Sequence, residues 1–415
     1  MVYHRSFFFS FFCYNLVSFL LCMKVFMLDL HDYFYELSPE KIAQNPVLPQ
    51  DHAKLLVFNQ NEEDFHFFDL PDLLDTNSVL FFNTTKVLPA RVTFENISVT
   101  MPRGEERIVD NGEFFCLEIL DDKRFEGLIR LTKRVKAGSK IHFSETITIT
   151  VDELTEQGVI CSIDGLGALD FFEKFGTVPL PPYIDYDLEK SQHYHHFFAE
   201  KSGSVAAPTA SLHFTPELLK NLEKKGIWTE FVTLQIGLGT FKPVDTPDIS
   251  HHQIHKEKIS VSLSLFSKIF ILKKNNFPLV AVWTTVMRTL ESLPYVWKKL
   301  SELLKKFITQ EEQLWRDELT KKISLEEADS FLENWSIDET HELVSWSTQI
   351  FLYPGKTYRL VDQLITNFHA PHSSLLMLVA GFIGYDEMKK IYQHGLDRDY
   401  RFLSFGDGML LIPKK

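Results

Sequence analysis

"FPLVAVWTTVMRTLESL" (residues 277–293) sets the reading of the fold. The apolar run ending at Val282 reads as a buried strand, and the residues after it read as a helix that begins with no loop between. The stretch "YRLVDQLITNFHAPHSSLLMLVAGFIGY" (358–385) repeats the strand–turn–helix shape, and "KLLVFN" (54–59) and "NSVLFFNTTKVLPARV" (77–92) supply further apolar strands. Alternation of strands and helices predicts an α/β domain on a mostly parallel or mixed sheet. Between about residues 92 and 177 the text changes to short alternating strands divided by turn signals such as "RGEE", "LDDKRF" and "KAGSK", with no helix before "ALDFFEKFG". That predicts an all-β, barrel-like unit inserted into the α/β domain. The divisions are then 27–91 and 178–415 for the α/β domain and 92–177 for the insert, with residues 294–345 as a charged, solvated helical excursion.

The composition fits a soluble globular protein: 45% hydrophobic and 24% charged, with 37 Phe among 415 residues. Lys and Arg number 43 against 56 Asp and Glu, a net charge of −13. Bulk attraction to nucleic acid is excluded at that charge, so any RNA contact needs a local basic patch. One exists in "KRFEGLIRLTKRVKAGSK" (123–140), where Lys123, Arg124, Arg130, Lys133, Arg134, Lys136 and Lys140 face a single acidic residue, Glu126. The other reading of that segment is a β edge guarded by lysines. The four cysteines, Cys13, Cys22, Cys116 and Cys161, form no CxxC pair and fit a reducing cytosol. An apolar run, Phe7 to Cys22, precedes an ordinary domain start at Met27, so residues 1–26 are expected to be a leader outside the functional protein.

Ligands of open α/β sheets bind at the carboxyl ends of the strands, and several segments put polar residues there. Thr284 and Thr285 fall where a strand becomes a helix, a place suited to anions, with Arg288 and Glu291 a turn further on. Helix caps and an ion pair are the structural alternative. "QIGLGTFKPV" (235–244) brings Gly237 and Gly239, where a backbone can approach a ligand. It is neither GxGxxG nor a P-loop. Asn367, His369 and His372 lie in "ITNFHAPHSS". In "VAAPTASLHF" (205–214) small residues around Pro208, Thr209, Ala210 and Ser211 leave room for a ligand beside His213. His251 and His255 have i, i+4 spacing but no HExxH pattern and no evident third ligand, so no metal is expected and an acid/base or hydrogen-bonding role suits His252 better.

Taken together, "NTTKVLPARV", "VPLPPYI", "VAAPTASLHF", "QIGLGTFKPV", "HQIHKE", "WTTVMRTLES", "FLYPG", "ITNFHAPHSSLLMLV" and "YRFLSFGDGMLL" resemble, in order, the S-adenosylmethionine:tRNA ribosyltransferase-isomerases of queuosine biosynthesis. The resemblance implies an α/β domain with an inserted β-barrel. It also implies transfer and isomerisation of the ribosyl part of S-adenosylmethionine onto 7-aminomethyl-7-deazaguanine in tRNA. The products are epoxyqueuosine-tRNA, adenine and methionine. S-adenosylmethionine is then a co-substrate and no separate cofactor is needed. A cytoplasmic monomer without stable membrane association is expected. His213, and after it His252, are the expected proton acceptors. Thr284, Thr285 and Arg288 are expected to hold an anionic group, and Glu291 a ribose hydroxyl or the incoming amine. Substrate contacts are expected from Asn83, Thr84, Thr85, Arg91, Pro208, Thr209, Gly237, Gly239, Thr240, Phe241, Asn367 and His369, and tRNA phosphate contacts from Lys123, Arg124, Lys133, Arg134 and Lys136. The chain departs from the family at Ser211 and Trp283, where glycine is usual, and both side chains are expected to reduce space near the pocket. Lys54 and Lys86 stand where arginine is usual. A non-catalytic tRNA-binding relative and a metal-dependent hydrolase built on "HHQIH" are the competing functions.

Overall fold

The computed structural model describes residues 28–414 apart from 132–134, 157, 186–189, 192–193, 195–197, 199–200, 205 and 238–242. The expected leader, residues 1–26, lies outside the described residues. The chain opens with β1 (Lys54–Asn59), β2 (Asn61–His66), β3 (Val79–Asn83) and the short β4 (Thr85–Val87). Six strands then close a barrel: β5 (Arg91–Thr100), β6 (Glu106–Ile119), β7 (Arg124–Leu131), β8 (Lys140–His142), β9 (Thr148–Leu154) and β10 (Val159–Asp164). Every barrel pairing is antiparallel, and inward positions such as Val92, Phe114, Phe125, Ile149 and Cys161 make a core of their own. Helix α1 (Ala168–Phe175) packs Phe171 and Phe172 into that core.

The chain returns through β11 (Lys201–Ser204), which pairs with β4, and continues as α2 (Pro216–Lys224), β12 (Trp228–Gln235), β13 (Glu257–Ser262), α3 (Leu263–Lys274), β14 (Leu279–Val282) and α4 (Thr284–Leu304). Thr215 caps α2 by accepting from Leu218 N at 3.1 Å. After α5 (Gln310–Thr320) and α6 (Leu325–Phe331) come β15 (Leu332–Asp338), β16 (Leu343–Thr348), β17 (Gln363–Asn367), α7 (Ser374–Ile383), α8 (Tyr385–Asp397) and β18 (Gly408–Leu411). Ten strands form one mixed sheet in the order β15-β16-β13-β12-β3-β14-β17-β18-β1-β2. Its centre, β12-β3-β14-β17, is parallel, so Gln235, Asn83, Val282 and Asn367 all end on one edge. The mixed α/β sheet with a closed barrel is the fold class that the sequence implies.

One local expectation needs correction. The stretch 294–345 is neither wholly helical nor merely solvated. Helix α4 runs on through Pro294, because Val296, Trp297 and Leu300 beyond it are buried. The segment then ends in β15 and the first half of β16, strands that extend the main sheet beyond β13. Their alternation was hidden by charged and polar residues on an edge strand with an exposed pattern. Trp297 packs on Trp315 with ring centroids 5.4 Å apart, and the Arg316 guanidinium lies over Trp297 while pairing with buried Glu312.

The barrel leaves and rejoins the sheet domain at one neck. Arg91 N donates to Thr177 O at 3.2 Å and Thr177 N to Arg91 O at 2.8 Å. Gly176 sits there because a Cβ would lie 1.8 Å from Pro89 O and 2.5 Å from Phe172 O, both backbone atoms. Gly176→Ala should therefore destabilise the protein by about 1–3 kcal/mol, the usual cost of overpacking. Thermal unfolding of that variant at unchanged Tm would show that the neck can open to accommodate it.

Candidate active site

At the carboxyl edge of the parallel strands, β14 ends at Val282, Trp283 turns the chain, and α4 begins. β17 ends at Asn367, opposite Gly408 of β18. Beside them the chain folds Thr209–His213 into a 3-10 turn, since Pro208 and the small residues after it fit no longer helix in that space. These pieces enclose a cavity of about 150 Å³ whose wall includes Thr209, Trp283, Asn367, His369, Tyr183 and Ser404.

The polar side chains of the wall are each tied to a neighbour by hydrogen bonds. Thr209 Oγ1 donates to Asn367 Oδ1 at 2.7 Å, and Asn367 Nδ2 reaches Gly406 O at 3.3 Å and His213 Nε2 at 3.4 Å. The other His213 nitrogen, Nδ1, lies 3.3 Å from Gln50 O. Both imidazole nitrogens are thus engaged, with Nδ1–H donating and Nε2 accepting. The ring stacks on Phe67 at 4.2 Å. Burial pushes the His213 pKa down to about 4, against a smaller opposing pull from Asp407. His369 pairs Nε2 with Thr366 Oγ1 at 3.0 Å, and burial pushes its pKa to about 3. Tyr183 and Ser404 share a hydroxyl–hydroxyl bond of 2.7 Å. Asn367 Oδ1 keeps one lone pair, so with the hydroxyl oxygens the cavity offers acceptors to an N–H-bearing ligand.

Of the residues singled out in the sequence, the structure brings Thr209, Trp283, Asn367 and His369 together in this wall. His213 is absent from the wall and stands behind Asn367. Arg288 forms a buried ion pair with Glu257, and its Nε donates to Ile350 O at 3.2 Å. Glu291 accepts three backbone N–H groups, from Arg359 at 2.7 Å and from Leu360 and Val361 at 2.9 Å, and so holds the loop before β17. Burial raises its carboxyl pKa, opposed by those same bonds. His252 lies outside the wall, edge-on to Phe351 and 3.9 Å from Asp245.

Asn83, Thr84, Thr85 and Thr285 bond to protein groups on β12, β11 and each other, while Arg91 sits at the barrel neck near Glu113. Pro208, Gly237 and Thr284 are likewise absent from the wall, although Thr284 Oγ1 is buried with no partner among the described residues. Gly239, Thr240 and Phe241 lie outside the described residues. Tyr183 and Ser404 were missed by residue-level reading; the proline-flanked Tyr183 in "VPLPPYI" and the Ser404 turn in "YRFLSFGDG" were the available signals.

On the barrel, successive residues of β7 alternate, so Arg124 and Arg130 share the outer face with Glu126 and Leu128. They are separated along the strand by about 20 Å. Lys123, Lys136 and Lys140 are exposed, and Arg124 pairs with Asp121 at 2.7 Å. Lys133 and Arg134 lie outside the described residues. No helix among the described residues is long and apolar enough to cross a membrane.

A family model described as "Queuosine biosynthesis protein" matches residues 30–411. The S-adenosylmethionine:tRNA ribosyltransferase-isomerase of Thermosynechococcus vestitus is 36% identical over 94% of this chain and 96% of its own. That of Sulfurihydrogenibium sp. is 35% identical over 93% of this chain and 100% of its own. The crystal structure of S-adenosylmethionine tRNA ribosyltransferase from Thermotoga maritima is 27% identical, covers 92% of this chain and 100% of that one, and has a TM-score of 0.45.

Because His213 and His369 both have folded pKa values below the ordinary 6.5, the unfolded chain takes up protons first as pH falls. Their contribution to stability is complete above about pH 6.5 and is lost as pH drops towards 4, by an amount on the order of 2–3 kcal/mol per histidine. Calorimetry across that window should show a smaller fall in Tm for a His213→Gln, His369→Gln protein than for the wild type. Parallel curves would assign the fall to carboxylates.

Proposed function

The chain belongs to the queuosine biosynthesis protein family, and from that we propose an S-adenosylmethionine:tRNA ribosyltransferase-isomerase whose reaction is centred on the Thr209–Asn367–His369 cavity. The protein transfers and isomerises the ribosyl group of S-adenosylmethionine onto 7-aminomethyl-7-deazaguanine in tRNA. Epoxyqueuosine-tRNA, adenine and methionine are the products. The observation that carries the choice of site is the convergence of a 3-10 turn and two strand ends on one acceptor-lined cavity. S-adenosylmethionine acts as co-substrate with no further cofactor, and the enzyme works as a cytoplasmic monomer.

The sulfonium acidifies the neighbouring ribose carbon, so the reaction begins with a proton acceptor. His369 is the described histidine in the cavity wall, where burial lowers its pKa and keeps the ring neutral at neutral pH. His213 fixes the Asn367 carboxamide, which keeps its free lone pair and Thr209 aimed at the ligand's N–H groups. Turnover on precursor tRNA, followed by mass spectrometry, should yield epoxyqueuosine with equal release of adenine and methionine. His369→Gln should lower kcat by about 10²- to 10⁴-fold, the range for loss of a general base, with S-adenosylmethionine still bound. Wild-type protein that binds tRNA without turnover would be a non-catalytic relative, and a His369→Gln variant at full rate would move the base elsewhere.

The barrel supplies the tRNA phosphate contacts through Lys123, Arg124 and Lys136, with Lys133 and Arg134 between them in sequence. Counterion release gives a slope of about −0.7 to −0.9 in log K per log salt for each neutralised phosphate. Replacing Lys123, Arg124 and Lys136 by Ala should flatten the slope for tRNA binding by about 2 to 3, leaving S-adenosylmethionine affinity as it was. An unchanged slope would leave this face as a guarded sheet surface.

A further inference from the structure

Trp283 has φ 83° and ψ 159°, a backbone conformation that belongs almost wholly to glycine. The surroundings hold it there. Its N–H donates to Ile365 O at 2.7 Å, and its carbonyl accepts from Met287 N at 3.2 Å. A glycine would make this one-residue turn from β14 to α4 without strain. Tryptophan instead stands in the cavity wall, 4% exposed and part of the main core. No described aromatic ring packs on it, unlike Trp297 and Trp315, which pack on each other. A cavity of about 150 Å³ is large enough to take up an aromatic ring, and hydrogen-bond acceptors of Thr209 and Asn367 share the wall with Trp283.

We propose that Trp283 is a specificity-determining residue whose indole is the stacking wall for a planar nucleobase ring. The proposal rests on the function given above. That function offers two such rings, the adenine of S-adenosylmethionine and the deazaguanine of the tRNA. Aromatic stacking brings sequence-tolerant affinity to any nucleobase, and edge acceptors then select among rings by their N–H groups.

The test is equilibrium binding of adenine, S-adenosylmethionine and precursor tRNA to wild type, Trp283→Ala and Trp283→Phe, with KM and kcat for both substrates. Trp283→Ala should weaken one substrate by roughly 5- to 150-fold, the loss expected for one stacked base, and leave the other unchanged. Trp283→Phe should retain most of the affinity. Weakened adenine and S-adenosylmethionine binding identifies the adenine ring; weakened tRNA binding alone identifies the deazaguanine. Equal or tighter binding of all three ligands by Trp283→Ala overturns the proposal and makes the indole a plug. Equal weakening of both substrates with a lowered Tm also overturns it, as the mark of a structural role. Wild-type protein that binds none of the three removes the functional reading as well, whereas wild-type turnover with an indifferent Trp283→Ala removes this inference alone.

Discussion

At the carboxyl edge of the sheet the buried carboxamide of Asn83 makes all four hydrogen bonds open to it. It donates to Leu234 O at 3.0 Å and Thr285 Oγ1 at 3.3 Å, and accepts from Leu234 N at 3.0 Å and Thr85 N at 3.1 Å. Two donors and two acceptors are thereby used up. The bonds tie the end of β3 to β12, to the first turn of α4 and to the turn by which the chain leaves for the barrel. Leaving one buried partner unsatisfied costs about 1–3 kcal/mol, and here several partners depend on one side chain. The strand ends that frame the cavity keep their places because this joint does.

Helix α4 carries the same logic outward. Arg288 and Glu291 are one turn apart, yet they serve different neighbours: Arg288 pairs with Glu257 on β13, and Glu291 gathers the N–H groups before β17. Ser292, the next residue along, accepts from Trp346 Nε1 of β16 at 3.2 Å. Buried charge is tolerated only when paired or hydrogen-bonded, and each of these pairings locks a different segment to the helix. The helix whose N-terminus meets the cavity is therefore a rigid post.

Much of this was legible in the sequence because it was written in apolar periodicity. The runs at 54–59, 79–83 and 279–282 are buried strands, and the turn-punctuated stretch after residue 91 is the barrel. Thr209, Asn367 and His369 were visible as polar residues where strands end. Chain-distant pairings were not legible. Nothing local reveals that Glu291 answers to residues 359–361, that His213 spends both nitrogens on Gln50 and Asn367, or that Tyr183 meets Ser404. β15 escaped notice because an edge strand bearing Glu333, Asn334 and Ser336 carries a solvent pattern rather than a core one.

The neck at Arg91 and Thr177 also orders events in time. All barrel pairings lie within Arg91–Asp164, whereas β3 finds its neighbours only in β12, from Trp228, and β14, from Leu279. A chain emerging from the ribosome folds its earlier units first. The barrel can close while β3 still has no partner, and a closed sheet offers that unpaired strand no free edge to join in error. Insertion of a self-contained barrel between a strand and its partners thus separates nascent pieces of the sheet by a body to which they cannot mispair.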